Sequence, residues 1–361
     1  MAKGESISPL AAFNRKVIRA LEAALRKNPE ADLSKLLGKT YTQKHEYFKQ
    51  FDAQQAAVQF PDNDIRARLD STMQTEIIRE PSTELQALLH GHSTSTAIID
   101  LLRGSQVIYS AGGGASMVFK VSETLVAKRT DGRYATTEHG SLRYLQEYLP
   151  GFPAPRSHGV IRIGNHHLLF TDFIHGTTLQ DVWTKLDDNQ KCNISNELDI
   201  LFTKLRELPH SPLAPLGGVD GEGCIDIRQG FRINPDPIWD VKQFEEWLFS
   251  GSKTASPMYS RLLRNMMQTT SSKCVFTHGD VRTANIMVDG NGGEGWKVVA
   301  IVDWAASGFY PEYWESIKAT NNLRPRDNLD WYEHLPASIS PHRNPAKWLA
   351  DRLWDRCMQN Y

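Results

Sequence analysis

The chain has 361 residues, 40% of them hydrophobic and 23% charged, with a formal net charge of -1. That length can bury a core of two or three layers, or two lobes sharing a cleft, while the near-neutral balance argues against a nucleic-acid partner. Cys192, Cys224, Cys274 and Cys357 are widely separated and read as reduced thiols of a cytoplasmic protein, and no apolar run approaches the roughly 18 residues of a membrane span.

From Pro9 to Lys27, apolar residues recur at helical spacing: Phe13, Val17, Leu21 and Leu25. The stretch Ala11 to Lys27 is basic and amphipathic in the manner of a mitochondrial presequence. Glu5 and Glu22 count against that, and a solvated surface helix is the preferred reading. Further helix-like stretches run through Ile65 to Ile78 and Thr83 to Leu102, with breaks near Pro61 and Pro81, so residues 1–104 read as a helical N-terminal extension. His90-Gly91-His92 is a metal-ligand fragment in outline. With no Cys or His partner at a familiar spacing, an exposed loop accounts for it better.

At Ser105 the pattern changes to short β-like runs, "QVIYS", "MVFKV" and "TLVAKRT", with "AGGGAS" after the first. This is an antiparallel meander. Its glycines, Gly112, Gly113 and Gly114, let backbone amides approach an anion closely, and equally suit a loose hairpin end. In "TTEHGSLRYLQEYL", Thr136 or Thr137 can cap a helix with apolar positions Leu142, Leu145 and Leu149. Glu138 precedes Leu142 by one turn and points the same way. A carboxylate on a buried face needs a cation, and Lys128 at the end of the preceding strand is the candidate; the bland alternative is two solvated surface charges.

"HHLLFTDFIHGTTLQDVW" reads as a strand from Leu168 to Ile174, a His-Gly break, and a helix capped by Thr177 or Thr178, which suits a hinge between lobes. Beyond it the chain is mainly helical, through "LDILFTKLREL" and "DVKQFEEWLFSG". Between those, "PLGGVDGEGCIDIRQGFRINPDP" reads as a long loop over a cleft.

The most informative stretch is "VFTHGDVRTANIMVDGNGGEGWKVVAIVDW", Val275 to Trp304. Two strands flank the turn "DGNGGEG". If the hairpin pivots near Gly293 or Glu294, Asn285 and Asp303 meet at its open end, and Asp280 lies in the loop leading there. Two carboxylates and a carboxamide at one hairpin mouth suit a hard cation such as Mg²⁺, which keeps coordination positions for phosphates. A lone capped hairpin explains one Asp but not all three residues.

Phosphoryl-transfer enzymes of the protein-kinase type carry a strand Lys paired with a helix Glu, then a catalytic-loop Asp with an Asn five residues later, then a metal-binding Asp. Lys128, Glu138, "HGDVRTAN" and "IVDW" stand in that order. At this level the chain resembles the aminoglycoside phosphotransferase and choline kinase-like family, particularly its expanded branch in filamentous fungi. "THGDVRTANIMV", "AIVDW" followed by "GFYPEYWE", and "FIHGTTLQDVW" carry the likeness, which spans about Ser105 to Ala319.

The resemblance implies an α+β, protein-kinase-like two-lobe fold: a small antiparallel β lobe over residues 105–175 and a larger, mainly helical lobe over 176–361. ATP would lie between them. Lys128, held by Glu138, would contact the nucleotide phosphates, and backbone around Asp172, Phe173 and Ile174 would meet the adenine. The catalytic loop would supply Asp280, as base or acceptor-orienting residue, and His278 as its buttress. Asn285 and Asp303 would bind Mg²⁺. The chain departs from the family at Ala305, where an acidic residue often follows Asp-Trp, and at Arg282 and Thr283. Arg282 suits an anionic acceptor, the transferred phosphate or plain solvation.

"DWA" replaces Asp-Phe-Gly and no Ala-Pro-Glu follows, so a small-molecule hydroxyl is favoured over a protein acceptor. In "GFYPEYWESIKA", Pro311 suits the first helical position and Glu312 and Glu315 the first turn. The leading reading is an ATP- and Mg²⁺-dependent small-molecule kinase. A catalytically silent binding module and a cleft reused for another reaction on a natural product are the alternatives.

Overall fold

The computed structural model describes residues 9–35, 37, 41–45, 60–90, 94–111, 115–228, 232–234, 236–267, 271–290 and 295–359. Two compact units divide the chain, Met1–Arg68 and Leu69–Tyr361. Among the described residues, no helix is long and apolar enough to cross a membrane.

In the first unit, helix α1 (Pro9–Lys27) has the expected bounds. Phe13, Val17, Leu21 and Leu25 are its half-buried face, and the Phe13 ring stacks on Tyr41 at 5.8 Å. Arg26 and Lys27 in the last turn complement the negative end of the helix dipole. The helix expected from Ile65 to Ile78 does not form. Asp64 caps a short 3-10 turn, Ile65–Ala67, by accepting from the Arg66 N–H.

In the second unit, the far end of that same stretch is strand β1 (Thr75–Arg79), an edge of the small-lobe sheet. Ile77 and Ile78 are β-branched, and the free edge of a neighbouring strand offers their backbone a ladder that an isolated short helix lacks. The second expected helix is divided into α2 (Thr83–Leu88), capped by Ser82, and α3 (Thr94–Arg103). His92 lies outside the described residues; His90 is described and lies beyond the end of α2.

The expected meander is present as β2 (Gln106–Ser110), β3 (Met117–Lys120) and β4 (Leu125–Thr130). With β5 (Ser157–Ile163) and β6 (His166–Asp172) they complete a six-stranded antiparallel sheet ordered β1-β5-β6-β4-β3-β2. Gly112, Gly113 and Gly114 fall outside the described residues. Helix α4 (Gly132–Tyr148) crosses one face, its Ala135 packed with Val160 and Leu169. It starts a turn before the expected Thr136 or Thr137, because the Asp131 carboxylate accepts the Arg133 N–H and caps it there.

Leu142 and Leu145 at the far end of α4 enter the core of the helical lobe. That core is built on α6 (Asp188–Leu205), whose capping box joins Asp187 and Gln190, and on α5 (Leu179–Val182), capped by Thr178. A second core surrounds Phe244 of α7 (Val241–Leu248), Tyr310, Trp314 and Trp354. The loop between α6 and α7 carries two very short strands, Ile225–Asp226 (β8) and Arg232–Ile233 (β9).

Candidate active site

Two hairpin-like pairs deliver the catalytic loop. Strand β10 (Cys274–Thr277) pairs with β13 (Gly308–Pro311), and β11 (Ile286–Asp289) pairs with β12 (Lys297–Ile301) and the short β7 (Thr177–Thr178). Ile286 sits opposite Ile301, and the Val302 N–H donates to the Asn285 carbonyl at 2.9 Å. Asn285 therefore faces Val302, one position short of the expected Asp303: Asp289 opposite Lys297 is symmetric about position 293, which alone would set Asn285 against Ile301, and the register shift between Met287 and Val288 moves its partner one residue back toward Asp303. The expected pivot at Gly293 or Glu294 lies outside the described residues.

The chain leaves β10 through His278-Gly279-Asp280. Gly279 has φ +83°, and a Cβ there would lie 2.4 Å from the Ala306 carbonyl oxygen, so glycine is required both by conformation and by space. Glu315 fixes the turn from a later helix, α8 (Trp314–Lys318). Its Oε2 accepts the His278 N–H at 2.5 Å and its Oε1 accepts the Gly279 N–H at 3.0 Å. Burial pushes the Glu315 carboxyl up to about 7. Pro311 closes β13 opposite Cys274 instead of opening the helix, and Glu312 precedes it; only Glu315 of the two acids is in the first turn.

His278 is fully buried, with its ring edge-on to Trp304 at 4.5 Å. Nε2 donates to the Val302 carbonyl at 3.1 Å while Nδ1 accepts the Asp280 N–H at 3.2 Å, which fixes one neutral tautomer. Burial lowers its pKa to about 4. Such a ring braces the loop and has no proton to exchange with a ligand.

Asn285 is buried at the end of a 3-10 turn, Thr283–Asn285. Its Nδ2 donates to the Asp280 carbonyl at 2.9 Å and to Asp280 Oδ2 at 3.0 Å. Burial raises the Asp280 carboxyl to about 6, with Arg282 working in the other direction and Asp303 adding to the rise. A carboxylate held there is poised for proton transfer near neutral pH.

Asp303, just beyond β12, is the sole non-glycine residue with positive φ among the described residues, at +69°. Left-handed backbone at a residue with a Cβ costs about 1–2 kcal/mol, least for Asp and Asn, and marks a side chain aimed against local preference. That aim brings Oδ1 to 2.5 Å from Lys128 Nζ, which also lies 2.7 Å from Glu138 Oε2. Glu138 Oε1 in turn accepts the Trp304 N–H at 3.3 Å. Burial alone would lower the Lys128 pKa, but Asp303 and Glu138 outweigh it and hold the ammonium above its ordinary value. Burial likewise opposes the charge of Asp303, and Lys128 overcomes it, keeping that carboxyl below the usual range. Glu138, the deepest of the three, is pushed upward by burial, with Lys128 opposing.

The donor set suits a hard cation. Asp303 Oδ2 is left with Arg282 at 3.9 Å as its ion partner, and Asn285 Oδ1 accepts no hydrogen bond among the described residues. Both are oxygen donors, the ligand type preferred by a Mg²⁺ ion held by few protein groups. Among the described residues no group of three or more His, Cys, Asp or Glu is arranged around an ion, so any ion here depends on Asn285, phosphates and water for its other ligands.

The profile of the phosphotransferase enzyme family, APH, matches residues 107–349, most of the chain. The chain belongs to this family. Among solved structures, this phosphotransferase-family chain is similar to a thermostable mutant of aminoglycoside phosphotransferase APH(4)-Ia in apo form, at 15% identity over 71% of this chain and 85% of that one, TM-score 0.48. It is also similar to the streptomycin-ATP-APH(2")-IIa ternary complex, at 11% identity over 77% of this chain and 89% of that one, TM-score 0.46. Against aminoglycoside-3'-phosphotransferase of type VIII the identity is 15% over 72% and 98% of the two chains, TM-score 0.45. No curated protein sequence matches the chain.

In this phosphotransferase-family member, β6 ends at Asp172, two residues before the expected Ile174. Asp172 is fastened by its side chain: Oδ2 accepts the Arg156 N–H at 2.9 Å, and Oδ1 lies 2.8 Å from His158 Nε2. The Phe173 N–H donates to the Thr124 carbonyl at 2.7 Å, and the Ile174 backbone makes no hydrogen bond among the described residues. Arg156, His158 and Glu315 are the positioning residues that sequence reasoning missed.

Proposed function

We propose that the chain is an ATP- and Mg²⁺-dependent phosphotransferase that moves the γ-phosphate of ATP to a hydroxyl of a small molecule. The observation that carries this reading is the pairing of Lys128 with Glu138 and Asp303 and of Asn285 with Asp280, the two groups being joined by Arg282 between Asp280 and Asp303. Family membership supports phosphoryl transfer, and the side-chain arrangement supplies its parts.

Lys128 binds phosphate oxygens as a fixed positive charge, its ammonium held by Glu138. The unpaired Ile174 backbone receives the adenine edge. Asp303 and Asn285 would hold the divalent ion, which supplies charge neutralisation on the phosphates. Asp280 accepts the proton of the acceptor hydroxyl as the oxygen bonds to phosphorus. His278, being neutral and internally bonded, acts only by holding Asp280.

The test is consumption of Mg²⁺·ATP by purified protein with a panel of amino alcohols, aminoglycosides, and indole or polyketide alcohols. The reading requires stoichiometric ADP and a phosphate ester with at least one of them. Nucleotide binding without transfer to any acceptor would instead favour a silent binding module.

A further inference from the structure

Resting on that reading, we infer that Arg282 is a built-in clamp for the transferred phosphoryl group, a catalytic residue beyond Lys128 and Asp280. Arg282 lies between the two carboxylates that define the two ends of the reaction. Its Nε is 3.2 Å from Asp280 Oδ2, and its terminal nitrogen is 3.9 Å from Asp303 Oδ2. Asp280 belongs to the acceptor oxygen and Asp303 to the ion-bound nucleotide phosphates, so a group spanning both stands beside the path the phosphoryl must cross.

Three further observations point the same way. Nε is buried, yet its N–H makes no hydrogen bond; the Asp280 contact has the distance but not the direction of one. A charged donor left in that state favours an incoming acceptor, since it has given up water without gaining a partner. Meanwhile 39% of the side chain is exposed, so the guanidinium can be reached from solvent. Finally, the side chain does not hold the loop together. Asn285, His278 and Glu315 make those bonds, and the Arg282 backbone is extended, with φ −150° and ψ 159°, a conformation any residue adopts.

Guanidinium suits this role better than ammonium, because its planar fork matches two phosphate oxygens at once. In the transfer, the acceptor oxygen forms a bond to the γ-phosphorus while the bond from that phosphorus to the bridging oxygen breaks, its electron pair leaving with ADP. The acceptor proton passes to Asp280 and later to solvent. Arg282 pairs with the non-bridging oxygens, where charge is spread in the transition state. Its two carboxylate partners hold it in place until those oxygens arrive.

The test compares Mg²⁺·ADP with Mg²⁺·AMP-PNP binding by calorimetry in wild type, Arg282→Met and Arg282→Lys, so that only the third phosphoryl group differs. Wild type is expected to favour AMP-PNP. Arg282→Met should lose roughly tenfold for AMP-PNP and keep its ADP affinity, which also certifies its fold, and Arg282→Lys should fall between. In turnover, Arg282→Met should lower kcat by about 100-fold and raise the KM for ATP by about the tenfold lost for AMP-PNP. Equal weakening of both nucleotides, an unchanged preference, or no preference in wild type would overturn the assignment. Failure of wild type to bind either nucleotide would instead bring down the phosphotransferase reading, and this inference with it.

Discussion

Lys128 Nζ lies 2.5 Å from Asp303 Oδ1 although 175 residues separate the two in sequence. The contact joins a strand of the small-lobe sheet to the end of a hairpin in the helical lobe, and Glu138 completes it from α4. Removing one member of a buried charged group costs roughly 3–5 kcal/mol, because the partners stay buried without their counter-charge. Lys128→Met and Glu138→Gln should each lower stability in urea denaturation, and the double variant should lose less than the two together by about 1 kcal/mol or more. Additive losses would show that the two side chains do not act as a unit.

Asp280→Asn removes the proposed proton acceptor and keeps the shape of the side chain. Transfer should fall by at least about 100-fold, while the affinity for a nucleotide measured by calorimetry stays within a factor of about three. A variant with wild-type turnover would remove Asp280 from the chemistry.

Glu315→Gln leaves one carbonyl oxygen to serve two backbone N–H groups, those of His278 and Gly279. One buried donor is then unpaired, at a cost of about 1–3 kcal/mol. Since that donor belongs to the catalytic loop, kcat should drop about tenfold with the KM for ATP little altered. An unchanged melting temperature and kcat would mean that the loop holds its shape without Glu315.

His278 is buried neutral with its pKa lowered from 6.5 to about 4. Below pH 6.5 the unfolded chain takes up this proton and the folded chain does not, so the contribution is intact above that pH and is lost as pH falls toward 4. At about 1.36 kcal/mol per pH unit, the loss is roughly 3 kcal/mol. His139, also lowered to about 4, chiefly by burial, works in the same direction. Urea midpoints at pH 7.5 and pH 5 should differ less in His278→Gln than in wild type; equal differences would place the acid sensitivity elsewhere.

How much of this was legible in the sequence depended on range. "HGDVRTAN" and "IVDW" flank a local hairpin, so their meeting follows from counting residues, and the register differs by one because the strands pair symmetrically about position 293 while a bulge, invisible in the alternation of side chains, restores one of the two positions. Lys128 and Glu138 were legible as a buried charge in search of a partner. Glu315 was hidden because an acid in the first turn of a helix already has a sufficient local explanation, and its bonds reach 37 residues back. Thr75–Arg79 was misread as helix because pairing with β5, some 80 residues away, decides its conformation and leaves no mark on the stretch itself. Asp131 is hidden as the cap, and Thr136 or Thr137 stand out, because Gly132 is a poor helix former that only a packed context tolerates.

Asp303, paired with Lys128, and Asn285, bonded to Asp280, are proposed to hold a divalent ion beneath the nucleotide phosphates. Titration of AMP-PNP into wild type, Asn285→Ala and Asp303→Ala, each with and without Mg²⁺, tests it most directly. Mg²⁺ should tighten wild-type binding by about 100-fold, Asn285→Ala should lose part of this gain, and Asp303→Ala should lose it all. Wild-type affinity and an unaltered Mg²⁺ response in Asp303→Ala would contradict it.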